Sequence, residues 1–297
     1  MKRIITRIKE GLSSCHSTGE VAALTRIIAI ELLDIPQMTF FLKDDVTLTA
    51  GQEALLDNAI TRLQKQEPIQ YILGYSDFCG LRFKVTPATL IPRPETSELV
   101  EWIASEANGN GSILDIGTGS GCIAVSLAHK LPQSEVTAWD ISPDALAVAT
   151  ENCKANGCAV AFEEVDILAY EPTGEQFDII VSNPPYIKEN EKEAMHSNVL
   201  NWEPHTALFV PDNDPLLFYR AIATKGLSML RPGGCLYFEI NRAHGQETVE
   251  MLKSLGYTGI ELRKDFADND RMIRAVKLQI KHSSPALRGG AVGGGVK

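Results

Sequence analysis

The sequence predicts an α/β fold: a mostly parallel sheet with helices on both faces, preceded by a small N-terminal helical bundle. Three observations carry this. Residues 1–72 repeat apolar side chains at helical spacing and lack strand alternation. From Glu95 onward, short apolar runs alternate with helical stretches, the order that builds a parallel sheet. The first of those runs ends in a glycine loop that opens a helix, as a strand-to-helix turn at a ligand crevice does.

In the bundle, Ile4, Ile5, Ile8 and Leu12 mark one helix, Ala23, Ile27, Ile30 and Leu33 a second, and Leu55, Ala59 and Leu63 a third. Thr47 to Gln52 reads as the turn into that third helix. Phe78, Leu81, Phe83 and Val85 predict a hairpin turning at Gly80. The strands that follow are expected at Ser112–Ile116, Glu135–Trp139, Ala159–Glu164, Phe177–Ser182 and Cys235–Ile240. Tyr257–Arg263 and Ile273–Ile280 form a closing antiparallel pair. Gly121–Lys130 is a helix stopped by Pro132. Ser142-Pro143-Asp144 is a cap, a first-turn proline and a first-turn acid, opening a helix that ends near Asn156-Gly157. The expected division is a helical domain at 1–73, a hairpin linker at 74–92, an α/β domain at 93–281 and a flexible tail at 282–297, where Ser283-Ser284-Pro285 leads into Gly293-Gly294-Gly295.

Composition bounds the partners. The 297 residues are 44% hydrophobic and 22% charged, ordinary for a soluble globular protein. With 28 Lys and Arg against 38 Asp and Glu, the formal charge is −10, which argues against phosphate-driven nucleic-acid binding. The six cysteines are scattered, without a Cys-x-x-Cys pair, and read as reduced apolar residues rather than a metal site. No metal is expected. Arg7, Lys9 and Glu10 interrupt any leader-like run, and Arg26, Glu31 and Asp34 break the most apolar early stretch. The expectation is a cytoplasmic, monomeric protein with no membrane partner.

Two constellations carry chemistry. Asp115-Ile116-Gly117-Thr118-Gly119-Ser120-Gly121 lies between a strand and a helix, where glycines permit tight turns and close approach of a ligand. A dinucleotide fingerprint would need Gly-x-Gly-x-x-Gly, and neither register fits, since Cys122 or Ala124 falls where the third glycine belongs. The spacing suits a cofactor without a pyrophosphate, contacted through Asp115, Gly117, Thr118, Gly119 and Gly121. Asp140 at the end of the second strand can accept both ribose hydroxyls, or be a solvated strand-end acid. Asp166 at the end of the third can accept from an adenine amino group, with Glu163 and Glu164 as competitors.

The second is Asn183-Pro184-Pro185-Tyr186 directly after a strand. The prolines stiffen the backbone, hold it away from helical angles and leave the carbonyls of Asn183 and Pro184 free of any helix. The Asn183 side-chain oxygen and the Pro184 carbonyl can accept the two hydrogens of a planar NH₂ group while Tyr186 covers its face. A proline-rich turn after a buried strand is the bland alternative.

Together the glycine loop and Asn-Pro-Pro-Tyr resemble class I methyltransferases that act on planar NH₂ groups of adenine, guanine or glutamine. Pro68-Ile69-Gln70-Tyr71-Ile72-Leu73-Gly74 and Leu90-Ile91-Pro92-Arg93-Pro94-Glu95-Thr96-Ser97-Glu98 narrow the resemblance to the HemK/PrmC family. So do Glu203-Pro204 before Ala207-Leu208, Arg231-Pro232-Gly233-Gly234 and Glu239-Ile240. Asn241 stands where that family commonly has Gly. The resemblance covers about residues 1 to 281. It implies a Rossmann-like seven-stranded sheet with an antiparallel last hairpin, S-adenosylmethionine as cofactor, and methylation of the Gly-Gly-Gln glutamine of peptide chain release factors, helped by the helical domain. It assigns cofactor contacts to the glycine loop and Asp140, and substrate contacts to Asn183, Pro184 and Tyr186; Pro185, Arg93 and Glu95 join the expected substrate side. Arg93 can touch substrate backbone or pair with an acid, and Glu95 and Glu98 suit a helix start. Methylation of a nucleic-acid base uses the same geometry and is the rival; a non-catalytic scaffold needs neither constellation.

Overall fold

The computed structural model describes residues 1–174 and 176–279. The expected strand end at Ile280 and the glycine-rich tail lie outside the described residues. Five helices form the N-terminal unit: α1 Lys2–Leu12, α2 Thr18–Ile27, α3 Gln37–Leu42, α4 Ala50–Gln64 and α5 Ile69–Leu73. Local chemistry starts two of them. Ser17 and Glu20 close a capping box on α2, and Thr49 and Gln52 close one on α4, within the expected turn. The inward faces differ from the periodicity. Val21, Leu24, Ile28, Ala29 and Leu33 are buried while Ala23 is exposed, and Leu56, Ala59, Ile60 and Leu63 are buried while Leu55 is exposed. Residues 21–33 are apolar at nearly every position, so spacing alone leaves the phase open. A π-helical turn at Ile28–Leu32 then shifts it.

A hairpin follows, β1 Tyr75–Phe78 and β2 Leu81–Lys84, turning through Cys79 and Gly80, both at positive φ. Asn152 ties it down: its side chain accepts from Lys84 N at 2.6 Å and donates to the Lys84 carbonyl at 3.0 Å.

The α/β unit comprises α6 Pro94–Glu106, β3 Ser112–Ile116, α7 Cys122–Lys130, β4 Glu135–Asp140, α8 Pro143–Ala155, β5 Ala161–Glu164 and β6 Phe177–Ser182. After these come β7 Ile187–Lys188, α9 Ser197–Leu200, β8 Phe209–Val210, α10 Leu217–Met229, β9 Leu230–Glu239, α11 Gly245–Ser254, β10 Thr258–Lys264 and β11 Asp270–Val276. The seven-stranded sheet runs β10-β11-β9-β6-β3-β4-β5, with β9, β6, β3, β4 and β5 parallel and β11 and β10 antiparallel. One face packs Leu99, Val100, Ile103, Ile123, Leu127 and Cys153 from α6, α7 and α8. The other packs Tyr219, Ile222, Met229, Val249 and Leu252 from α10 and α11. The strand order reverses at β3, with β4 on one side and β6 on the other. The carboxyl ends of these three strands therefore flank a crevice, the place where open α/β sheets hold ligands.

Beyond β6, a short parallel pair of β7 with β8 pins both ends of the segment between them. That segment reaches the helical unit. Trp202 packs with Tyr71, Val85 and Ile91, and its indole N–H donates to the Lys65 carbonyl at 3.2 Å. Tyr71 Oη donates to the Thr89 carbonyl at 2.7 Å.

Candidate active site

The glycine loop is held from β4. The N–H groups of Gly117 and Thr118 both donate to the Trp139 carbonyl, at 2.8 and 3.0 Å. Gly117, Gly119 and Gly121 all sit at positive φ. At Gly117 and Gly119 a Cβ would enter open space, whereas at Gly121 it would meet Ala149 Cβ at 3.1 Å. The third glycine therefore serves the packing of α7 on α8, and the first two leave room over the loop.

Asp115 is fully buried beneath the loop. Its Oδ2 accepts from Thr118 Oγ1 at 2.6 Å and from Ala124 N at 3.2 Å, and its Oδ1 has no partner. Burial, opposed by those two hydrogen bonds, pushes its pKa up to about 7. Asp140 ends β4 with its carboxylate aimed by backbone: Oδ2 accepts from Gly119 N at 2.8 Å and Oδ1 from Ser142 N at 2.9 Å. Burial raises its pKa too, against the backbone hydrogen bonds. Each oxygen retains a lone pair for a further donor. Asp166 is exposed, and its Oδ1 accepts from Leu168 N at 2.9 Å.

A cavity of about 380 Å³ gathers these groups. Gly117, Thr118, Gly119, Asp140, Ile141, Asp166 and Leu168 line one part of it, and Asn183, Pro184 and Pro185 close it. Glu163 and Glu164 do not line it. A second cavity, of about 330 Å³, lies against the same loop and is lined by Asn183, Pro184, Tyr186, Met195, His196 and Val199. Leu90, Arg93, Asn183, Pro184 and Ala207 line both. The Asn-Pro-Pro-Tyr loop is thus a partition between two chambers.

Arg93 pairs with an acid. Its Nη2 donates to Glu203 Oε1 at 2.6 Å, and the Ile91 N–H donates to Glu203 Oε2 at 3.3 Å. Burial raises the Glu203 pKa, and Arg93 acts in the opposite direction. Arg93 still lines both chambers. Glu95 sits in the first turn of α6 and lines neither chamber. Asp115 lies below the loop rather than on the cavity wall.

Sequence reasoning gave no role to Glu203, Glu239, Asn152, Ile141 or Leu168. Glu203 and Glu239 had a faint signal, as acids set among apolar residues. Asn152, whose Nδ2 donates to the Ser120 carbonyl at 2.8 Å, had none, as a lone amide on the buried face of α8.

Comparison with known proteins places this geometry. A family model described as PrmC N-terminal domain matches residues 5–74, and one described as Methyltransferase small domain matches residues 95–202. A protein of Bacteroides thetaiotaomicron named release factor glutamine methyltransferase is 48% identical over 276 residues, covering 93% of this chain and 99% of its own. The protein of that name from Flavobacterium psychrophilum is 46% identical over 92% and 98%. Among solved structures, a methyltransferase from Pyrococcus furiosus shares the fold at 17% identity, with a TM-score of 0.51 over 77% of this chain and 100% of that one. The matches span both units and nearly the full length of these relatives, so the chain belongs to the release factor glutamine methyltransferase family.

Proposed function

We propose that the protein transfers a methyl group from S-adenosylmethionine to the side-chain amide nitrogen of the glutamine in the Gly-Gly-Gln motif of peptide chain release factors. The observation that carries this reading is the partition: Asn183 and Pro184 face a chamber with nucleotide-binding chemistry on one side and a second chamber on the other. The chain's membership in a family whose relatives carry that activity in their names supports the choice of substrate.

The residues present fit the cofactor. Open space above Gly117 and Gly119 admits it, Asp140 has lone pairs for ribose hydroxyls, and Asp166 can accept from the adenine amino group. Thr118 is part of the same loop, and the free Asp115 Oδ1 below it is an acceptor without a donor. When bound, the cofactor supplies an electrophilic methyl on a sulfonium. An amide nitrogen is a weak nucleophile because its lone pair is delocalised. Asn183 Oδ1 and the Pro184 carbonyl accept its two hydrogens, fixing the amide plane and strengthening as positive charge builds on nitrogen. Pro185 keeps the loop rigid, Tyr186 covers the amide face, and Arg93, held by Glu203, offers donors to neighbouring backbone carbonyls. The amide nitrogen would take the methyl group, leaving the cofactor as a neutral thioether. The methylated nitrogen becomes acidic and releases its proton late, so no strong base is required.

Domain roles follow: residues 1–73 help hold the release factor, 74–92 link, and 93–281 catalyse. One chain holds both chambers, which supports action as a monomer, and the charge of −10 supports a protein rather than a nucleic-acid substrate. No helix among the described residues is long and apolar enough to cross a membrane, and we place the protein in the cytoplasm with its substrate.

The test is to incubate the protein with methyl-labelled S-adenosylmethionine and, in parallel, a purified release factor, ribosomal RNA and DNA. Label is expected on the Gly-Gly-Gln glutamine. Label on nucleic acid and none on the release factor overturns the reading.

A further inference from the structure

Two prolines in a row leave the reacting loop with few backbone donors. Pro184 and Pro185 have no N–H, so the loop cannot be fixed by ladder hydrogen bonds of its own. Catalysis by orientation nevertheless needs Asn183 and Pro184 held to a fraction of an ångström. The fixed proline angles and the strand pairing at Ser182 and Ile187 hold part of the loop, and side chains brought by other elements add to that restraint.

They converge at the end of β9. Glu239 is buried there, beside the point where β6 leaves the sheet, since Ser182 pairs with Phe238. Its Oε2 accepts from Thr96 Oγ1 of α6 at 2.5 Å, and its Oε1 faces Tyr186 Oη in a long contact at 3.5 Å. One carboxyl thereby joins the helix that follows Arg93 to the last residue of the reacting loop. The backbone of that loop is caught from the same strand end: Asn241 Nδ2 donates to the Tyr186 carbonyl at 3.2 Å. Asn241 Oδ1 accepts from Ala243 N at 3.0 Å, which fixes the orientation of the amide. Tyr219 Oη donates to the Glu239 carbonyl and accepts from Asn241 N, both at 3.3 Å, closing the network. A glycine at 241 would lack the side-chain donor.

We propose that Glu239, with Asn241, is a positioning residue that ties Tyr186 to α6 and so sets the Asn183-Pro184 acceptors against the methyl donor. The inference rests on the reading of Asn183-Pro184-Pro185-Tyr186 as the reacting centre. Burial holds the Glu239 carboxyl above the usual carboxylate range, with the Thr96 hydroxyl and Arg271 acting the other way and Glu95 reinforcing the rise. Burial also raises the Tyr186 phenol, which keeps it a donor. A neutral amide can stand in for the carboxyl, because both hydroxyls can rotate to meet it.

The test measures methylation of a purified release factor by wild type, Tyr186→Phe, Thr96→Val, Glu239→Gln and Glu239→Ala, with calorimetric binding of S-adenosylmethionine alongside. Tyr186→Phe keeps the ring and removes only the tether. It is expected to lower kcat about threefold, the size of one long hydrogen bond, with unchanged KM for the release factor and unchanged cofactor affinity. Glu239→Gln is expected to stay closer to wild type than that, while Glu239→Ala loses at least as much kcat as Tyr186→Phe. Because the groups act as one unit, Tyr186→Phe combined with Thr96→Val should lose less than the product of the two single losses. Full kcat in Tyr186→Phe, or losses that multiply independently, overturns the tether. Should Glu239→Ala not fold, Tyr186→Phe and Thr96→Val decide the matter alone. A wild type that methylates no release factor removes the underlying reading instead, which separates the two failures.

Discussion

At the residue scale, the site depends on acceptors whose energies are set by burial. Asn183→Ala deletes a side-chain oxygen at the partition between the chambers while leaving Asp140 and the glycine loop intact. It is expected to lower kcat about a hundredfold or more, the size of one lost transition-state hydrogen bond in an enclosed site. Cofactor affinity should stay within a few-fold; turnover equal to wild type in a steady-state assay would remove Asn183 from the chemistry. Asp115 gives a pH prediction. Its folded pKa of about 7 lies above the ordinary carboxyl value of 3.8, so between these pH values the folded state binds the extra proton. Stability contributed by this group therefore falls as pH rises from about 4 to about 7. Asp115→Asn keeps an acceptor for Thr118 and Ala124 and removes the titration. The cofactor-free variant should lose less thermal stability than wild type between pH 4.5 and pH 7.5; superimposable pH profiles of the two melting midpoints would contradict the account.

At the scale of elements, the glycine loop separates two jobs that its spacing alone runs together. A methyl at Gly121 carries a positive φ and a contact at 3.1 Å with Ala149 Cβ, while one at Gly119 meets nothing within 4 Å. Gly121→Ala is expected to cost roughly 2–5 kcal/mol, the left-handed backbone cost plus overpacking between α7 and α8. Gly119→Ala should cost less stability yet weaken cofactor binding more, because Gly119 lines the larger chamber and its methyl meets no protein atom. Denaturant melts and titration calorimetry on both variants check the ordering, and a reversed ordering would reassign the two glycines.

On the scale of the whole molecule, the two units meet through the segment between β7 and β8. Trp202 is the bolt: half-buried against Tyr71, Val85 and Ile91, and bonded to the Lys65 carbonyl. Glu203, the next residue, holds Arg93 at the chambers. Trp202→Ala is expected to cost roughly 1–3 kcal/mol, less than a fully buried Trp because part of the ring is in water. Its kinetic effect should fall mainly on KM for the release factor, since Arg93 and the helical unit are loosened together. A variant with unchanged KM and an unchanged melting midpoint would show that this joint carries no strain between the units.

How much was legible in the sequence follows from how local each cause is. Positive φ at glycines, fixed φ at prolines, the cap at Ser142 and apolar strands are local, so the succession of seven strands along the chain, the loop at 117–121 and the position of Asn183 could be read directly. The helical bundle was legible as helical, but its inward faces were not, because residues 21–33 carry more apolar side chains than one face can hold and only packing chooses a phase. Arg93 with Glu203, and Thr96 with Glu239, lie 110 and 143 residues apart. No spacing rule reaches that far. The sequence by itself determined which groups can hold a cofactor and a planar amide. The tertiary structure decided which of them share a wall, because sheet order places β9 beside β6 and brings a buried carboxyl under the Asn183–Tyr186 loop.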